Sequence, residues 1–331
     1  MDLDAYSAAH REEWDRLAQL GKRSRFSGAE ADELIDRYQA GSTGLSAIRT
    51  TVGESVQGER LSLALSRARL RFTGASKNTF SQLPNFFVNQ LPAALFRLRW
   101  LSAAVALGTV LIAVVYAWWG ASNPQVLATM GDASALEQYA REDFVNYYSD
   151  NSGEAFTAFV WTNNAWLATQ CIAFGIVGVY APYLLFTNAQ QLGLTAALMN
   201  EYNRLDVFFL YIAPHGQLEL YAIFVAGATG MRIFWSWVAP GARTRVQALA
   251  EDGRAFFTVV VGLIAALLVS GLIEGFVTRQ DWPWAIKIGI GSLALGGFLY
   301  YQWVVGRTAF RAGQTGDLDE FEAGSRQLVA G

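Results

Sequence analysis

Three windows of 19 residues, Leu101 to Trp119, Ala255 to Ile273 and Ile288 to Gly306, contain no Asp, Glu, Lys, Arg or His. About 20 such residues in a helix match the roughly 30 Å hydrocarbon core of a bilayer. Within that core only helices and closed barrels satisfy their own backbone polar groups. These windows therefore commit the chain to an all-α, polytopic membrane fold. Composition agrees, since 16% of the residues are charged against about 25% in ordinary soluble domains. Residues 155 to 200 are also free of charge and histidine, long enough for two crossings with a break near Pro182. A further apolar stretch, 218 to 237, carries Glu219 and Arg232. About six transmembrane helices are expected, over 101–119, 157–181, 183–199, 218–237, 255–273 and 288–306.

Basic residues orient these spans, because cytoplasmic flanks collect Lys and Arg. With six spans and both termini cytoplasmic, 21 of the 25 basic residues lie inside and four (Arg141, Arg204, Arg279 and Lys287) outside. A re-entrant 182–200 segment would reduce the split to 17 against 8, so six crossings fit better. The first 17 residues are charged from Asp2 onward and lack an apolar signal region, so insertion is expected to use internal spans. The formal charge of −3 gives no basic surface for nucleic acid. Cys171, the one cysteine, excludes an intrachain disulfide and reads as a packing residue.

Residues 1–79 read as a cytoplasmic helical domain. Trp14 with Leu17 and Leu34 with Tyr38 fall at helical spacing, and Ser27 with Glu30 forms a capping-box signature. Leu45 to Phe72 reads as one long helix whose Arg60, Arg67 and Arg71 share a face toward solvent, anionic lipid or a partner. Residues 80–99 read as an amphipathic interfacial segment, 120–154 as an external acidic loop and 307–331 as a cytoplasmic tail, with the transmembrane bundle occupying 100–306.

The chemistry is concentrated in the polar content of the middle spans, because polar groups in lipid need partners. Asn163 and Gln170 are seven residues apart, with Asn164 adjacent; Asn188, Gln191 and Thr195 form a stripe on the next span. In Pro214-His215-Gly216-Gln217-Leu218-Glu219, the proline suits the first turn of a helix, and His215 and Glu219 share a face. The stripes are expected to converge, either to fix the bundle or to line a path for a solute, ion or lipid. Glu274, within the small-residue pattern Gly271 to Gly275, and Arg232 are secondary candidates; Glu274 is expected near a hydrated interface. One histidine and one glutamate make an incomplete zinc site, and no phosphate-loop, HExxH or nucleophile-elbow motif is present. No catalytic residue, cofactor or metal is therefore expected. The glycine-rich last two spans permit a homodimer.

Several of these residues together resemble the stage II sporulation protein M family of bacterial inner-membrane proteins. They are Trp14, Leu17 and the Tyr38 region; Asn163-Asn164 followed by Phe174-Gly175 and Gly178; Asn188 with Leu192-Gly193; and the Pro214 to Glu219 block followed by Ala226-Gly227-Ala228 and Gly230. The chain departs from the family pattern at Ala189. The resemblance implies a multi-pass helical protein of the bacterial plasma membrane, non-enzymatic, acting as a scaffold or assembly factor with protein and lipid partners. A transporter or channel using the polar cluster is the alternative.

Overall fold

The computed structural model describes residues 3–23, 26–53, 55–72, 83–148 and 152–316, and among them helix is the only regular secondary structure. Residues 80–82 of the expected interfacial segment and 317–331 of the expected tail lie outside the described residues. The chain divides into two units, one ending at Leu83 and the other beginning at Pro84.

The first unit is formed by α1 (Leu3–Leu20), α2 (Gly28–Thr51) and α3 (Val56–Phe72). The capping box at Ser27 forms as the sequence predicts: the Glu30 amide donates to Ser27 Oγ and the Ser27 amide to Glu30 Oε2. Leu17, Leu20, Leu34, Ile48, Leu61 and Leu65 make its core, each burial contributing about 1.5–3 kcal/mol. The single helix expected over 45–72 is instead two. Gly53 turns the chain at φ +80°, which a side chain disfavours, and Ser55 Oγ accepts the Gly58 amide as α3 starts. Arg71 leaves the expected arginine face to donate to the Gly21 carbonyl at 3.1 Å, while Arg60 and Arg67 are exposed.

Glu33 joins α1 to α2 by accepting from both Arg16 and Arg37. Hydrogen bonds from Arg16 and then Arg37 hold its carboxyl at about 2, against an ordinary 4.5. A lowered folded value stabilises the unit above the unfolded value, and the contribution disappears as pH falls from about 4.5 toward 2. Glu33→Gln is expected to remove that part of the acid limb while leaving the neutral-pH fold intact, read by hydrogen exchange of α1 and α2 amides across this window.

The second unit contains α4 (Leu91–Ser122), α5 (Gly153–Ala173), α6 (Tyr180–Glu201), α7 (Leu205–Val238), α8 (Arg245–Ile273) and α9 (Trp284–Tyr300). Turns of π-helix precede α4 and extend α8 through Glu274–Thr278 and α9 through Tyr301–Val305. Among the described residues, four continuous helices are long and apolar enough to cross a membrane: Leu83–Ser122, Leu205–Val238, Arg245–Thr278 and Trp284–Arg311. From Leu83 onward the expected interfacial segment is continuous with the helix that ends at Ser122. Helices α5 and α6 have 21 and 22 residues, about 30 Å at 1.5 Å per residue, but their Asn and Gln residues reduce their hydropathy.

Helix α7 is the hub, packing against α4, α5, α6, α8 and α9. Every residue from Ala222 to Gly230 is buried. This helix begins at Leu205, so Pro214 lies inside it and not in its first turn as the sequence reading places it. The α5–α6 break is also displaced: it falls at Phe174–Val179, with Gly178 at φ +77°, whereas Pro182 fits the first turn of α6. An amide there has no intrahelical partner, so proline costs nothing. Hydrogen bonds tie the helices: Thr157 to the Gly271 carbonyl, Trp161 to that of Ile264, and Tyr221 to Gln302, whose amide donates to the Leu95 carbonyl. Cys171 is fully buried, as a packing residue should be.

Candidate functional site

The Pro214 to Glu219 block sits where α7 faces α5, α6 and the extension of α8. His215 and Glu219 are one turn apart on α7. Opposite them α8 and its π-turn present Ser270, Glu274 and Thr278, also at one-turn intervals. One nitrogen or oxygen atom from each of His215, Glu219 and Glu274 lies within 4.8 Å of the others. His215 Nε2 is 3.6 Å from Glu274 Oε1. Ser270 Oγ donates to the His215 carbonyl at 3.0 Å and lies 3.4 Å from Glu219 Oε2. Asn164 of α5 also hydrogen-bonds the Glu219 carboxyl.

The sequence places Glu274 at a hydrated interface, yet it is 3% exposed and faces His215. Glu274 lies one turn beyond Ser270 on the face of α8 that also carries the buried Leu263 and Leu267, and the π-turn that starts at Glu274 continues this wall to Thr278; such turns recur at functional sites. This arrangement also corrects the assumption that the chain offers one histidine and one glutamate: the fold supplies a second carboxylate.

His215 and Glu219 line one end of a cavity of about 740 Å³. Its side is formed by Asn188, Gln191 and Thr195 of α6, so the expected α6 and α7 stripes do converge. Its remaining wall comes from the segment between α4 and α5, including Tyr139, Asp143, Tyr147 and Tyr148. Phe144 and Tyr148 anchor that wall on Phe156, Phe208 and Tyr211. Burial, with Glu274 nearby, holds the Tyr148 hydroxyl above its ordinary value. The lining ends at Leu220, two residues before the wholly buried stretch of α7 begins at Ala222.

A second, apolar crevice of about 220 Å³ adjoins it between α4, α6 and α7. The two share Asn188, Leu192, Phe208 and Leu220.

Three candidates stand apart from this cavity. Asn163 is exposed on α5. Gln170 accepts from the Tyr180 hydroxyl at 2.8 Å and ties α5 to α6. Arg232 is half-buried toward the end of α7. Sequence reasoning misses Lys287, which it counts only as a basic marker. Lys287 is 4% exposed and donates to the Thr278 and Gln280 carbonyls, fixing the turn that carries Thr278 to His215. Its place in the first turn of an apolar helix is the available signal.

Residues 4–74 match a model for a domain of unknown function (DUF8413). No curated protein and no solved structure is significantly similar to the chain. The membrane unit, with its four long apolar helices and central polar block, matches the family model for stage II sporulation protein M over residues 103–279. That match spans more than half of the 331 residues, and the chain belongs to the stage II sporulation protein M family.

Proposed function

We propose that the membrane unit binds and hands on an amphiphile of lipid class, with its polar head in the large cavity and its hydrocarbon chain in the adjoining crevice. The observation that carries this reading is the shared wall: one side of Asn188 and Leu192 faces a space of mixed polar and apolar lining, the other an almost wholly apolar one. Polar groups within a bundle are costly unless partnered, and a head group would partner Asn188, Gln191 and Thr195. The reading involves no chemical step on the ligand, because the Ser270 hydroxyl is committed to the His215 carbonyl and Cys171 is sealed in the core. Helices α5 and α6 complete six crossings, with both termini on the cytoplasmic side of a bacterial plasma membrane; the 21-to-4 division of basic residues supports this topology.

Native mass spectrometry of detergent-purified protein tests it. Wild type is expected to retain a lipid-mass adduct that Asn188→Leu with Gln191→Leu reduces about tenfold. Equal retention by both proteins would rule the reading out.

A scaffold role for the first unit is favoured by a separate observation, the exposed Arg60 and Arg67 on a domain with its own core. Protein partners would dock there. The open glycines of α9, Gly289, Gly296 and Gly297, leave room for a second copy. Charge reversal at both arginines should release co-purifying proteins without altering lipid retention.

A further inference from the structure

We infer that His215, Glu219 and Glu274 form a binding site for one divalent transition-metal ion of the zinc class at the inner end of the cavity. The inference goes beyond amphiphile binding and stands without it.

The hydrogen-bond pattern at His215 is compatible with metal ligation. In one tautomer of the neutral ring, Nδ1 donates to Thr278 Oγ1 at 3.3 Å while that hydroxyl donates to the Ile273 carbonyl at 3.4 Å. In that tautomer Nε2 presents a lone pair toward Glu274 Oε1, 3.6 Å away.

Donors to the two carboxylates are few. Asn164 supplies one to Glu219, while the Ser270 proton goes to the nearer His215 carbonyl before Glu219. Among the described residues, Glu274 Oε2 is buried with no hydrogen-bond partner, on a side chain that is only 4% exposed. A buried acceptor without a donor costs about 1–3 kcal/mol, and a cation between the three groups removes that deficit.

The spacing suits a metal. Ligand bonds of about 2.0–2.2 Å in a tetrahedron place donor atoms about 3.3–3.6 Å apart, and the His215–Glu274 separation already matches that edge. The third ligand, Glu219, needs a shift of about 1 Å from the outer limit of 4.8 Å. One imidazole with two carboxylates suits zinc-class ions better than magnesium, which prefers oxygen and water. The Nδ1 contact to Thr278 provides the outer support that orients ligating histidines. Because His215 and Glu219 line the cavity and Glu274 lies behind them, the fourth position opens toward the cavity, where an anionic head group or water would complete the shell.

The test uses full-length protein in detergent, stripped with EDTA, incubated separately with Zn²⁺, Co²⁺ or Mg²⁺ and desalted before elemental analysis. Wild type is expected to retain about one Zn²⁺ or Co²⁺ per chain and no Mg²⁺. Glu274→Gln and His215→Gln should each weaken Zn²⁺ retention at least tenfold, whereas His10→Ala and the paired Asn188→Leu, Gln191→Leu variant should retain it. The paired variant separates this inference from lipid binding. Should the ligand variants fail to fold, the wild-type Co²⁺ spectrum decides: intense visible bands of a tetrahedral site support the assignment. Wild-type retention no greater than that of folded Glu274→Gln, or cobalt uptake without those bands, overturns it.

Discussion

Gly230→Ala is expected to cost about 3 kcal/mol or more, at or above the upper end of ordinary overpacking. A Cβ built there would stand 2.1 Å from the Cys171 carbonyl oxygen and 3.1 Å from Ala181 Cβ. Across the same contact, a Cβ on Gly175 would stand 2.6 Å from Gly230 Cα. The obstructing atoms are mainly backbone, so no rotamer change relieves them. The end of α5 and the centre of α7 must move apart, opening a core that is buried from Ala222 to Gly230. Interhelical packing supplies most of the association energy in lipid, where apolar surface gains little from leaving the acyl chains.

Gly296→Ala is the matched control. Nothing lies within 4 Å of its added Cβ, and its effect should stay within about 0.5 kcal/mol. Thermal unfolding in detergent, followed by tryptophan fluorescence, should show a large fall in midpoint for Gly230→Ala alone. Matching midpoints for the two variants would mean that α5 and α7 do not approach this closely.

The sequence made the apolar helices legible because lipid demands long uncharged runs, and the α6 and α7 stripes legible because helical spacing places Asn188 with Gln191 and His215 with Glu219 on single faces. It was blind to what a change of local geometry rearranges. Helical spacing places Glu274 one turn beyond Ser270 on the buried face of α8, but the π-turn at Glu274–Thr278, which carries Thr278 to His215, has no pattern a periodicity argument reads, so the position reads as the hydrated end of a span. Pro214 carried a misleading signal, since a proline favoured in a first turn is also tolerated inside a membrane helix held by neighbours. Asn163 and Gln170 share a face by spacing, yet only the packing of α5 reveals that Asn164 beside them reaches Glu219. Asp252 escaped notice for a related reason: near the start of α8 it looks like an ordinary charge flanking a span, and its partners come from distant segments.

Those partners set up the second large effect. Asp252 is 1% exposed. Its carboxylate accepts from Arg97 of α4 at 3.1 Å, from Arg243 at 3.5 Å and from the Ser236 hydroxyl at the end of α7. Removing both arginines would leave a buried carboxylate with one hydroxyl, and a broken buried pair costs about 3–5 kcal/mol. Either single Arg→Ala change should cost about 1 kcal/mol, since the other guanidinium remains. Asp252→Ala should cost less than the double change, about 1–3 kcal/mol. Both arginines are about one-third exposed and keep other acceptors, the Thr315 carbonyl for Arg97 and Glu251 for Arg243.

The discriminating protein is the triple variant. Adding Asp252→Ala to Arg97→Ala with Arg243→Ala removes the stranded charge, so stability should rise relative to the double variant even though one more residue has been deleted. Thermal unfolding of wild type, Asp252→Ala, the double and the triple variant in one detergent measures this reversal. If the triple variant is less stable than the double, Asp252 contributes through packing and the surrounding arginines do not neutralise a desolvated charge.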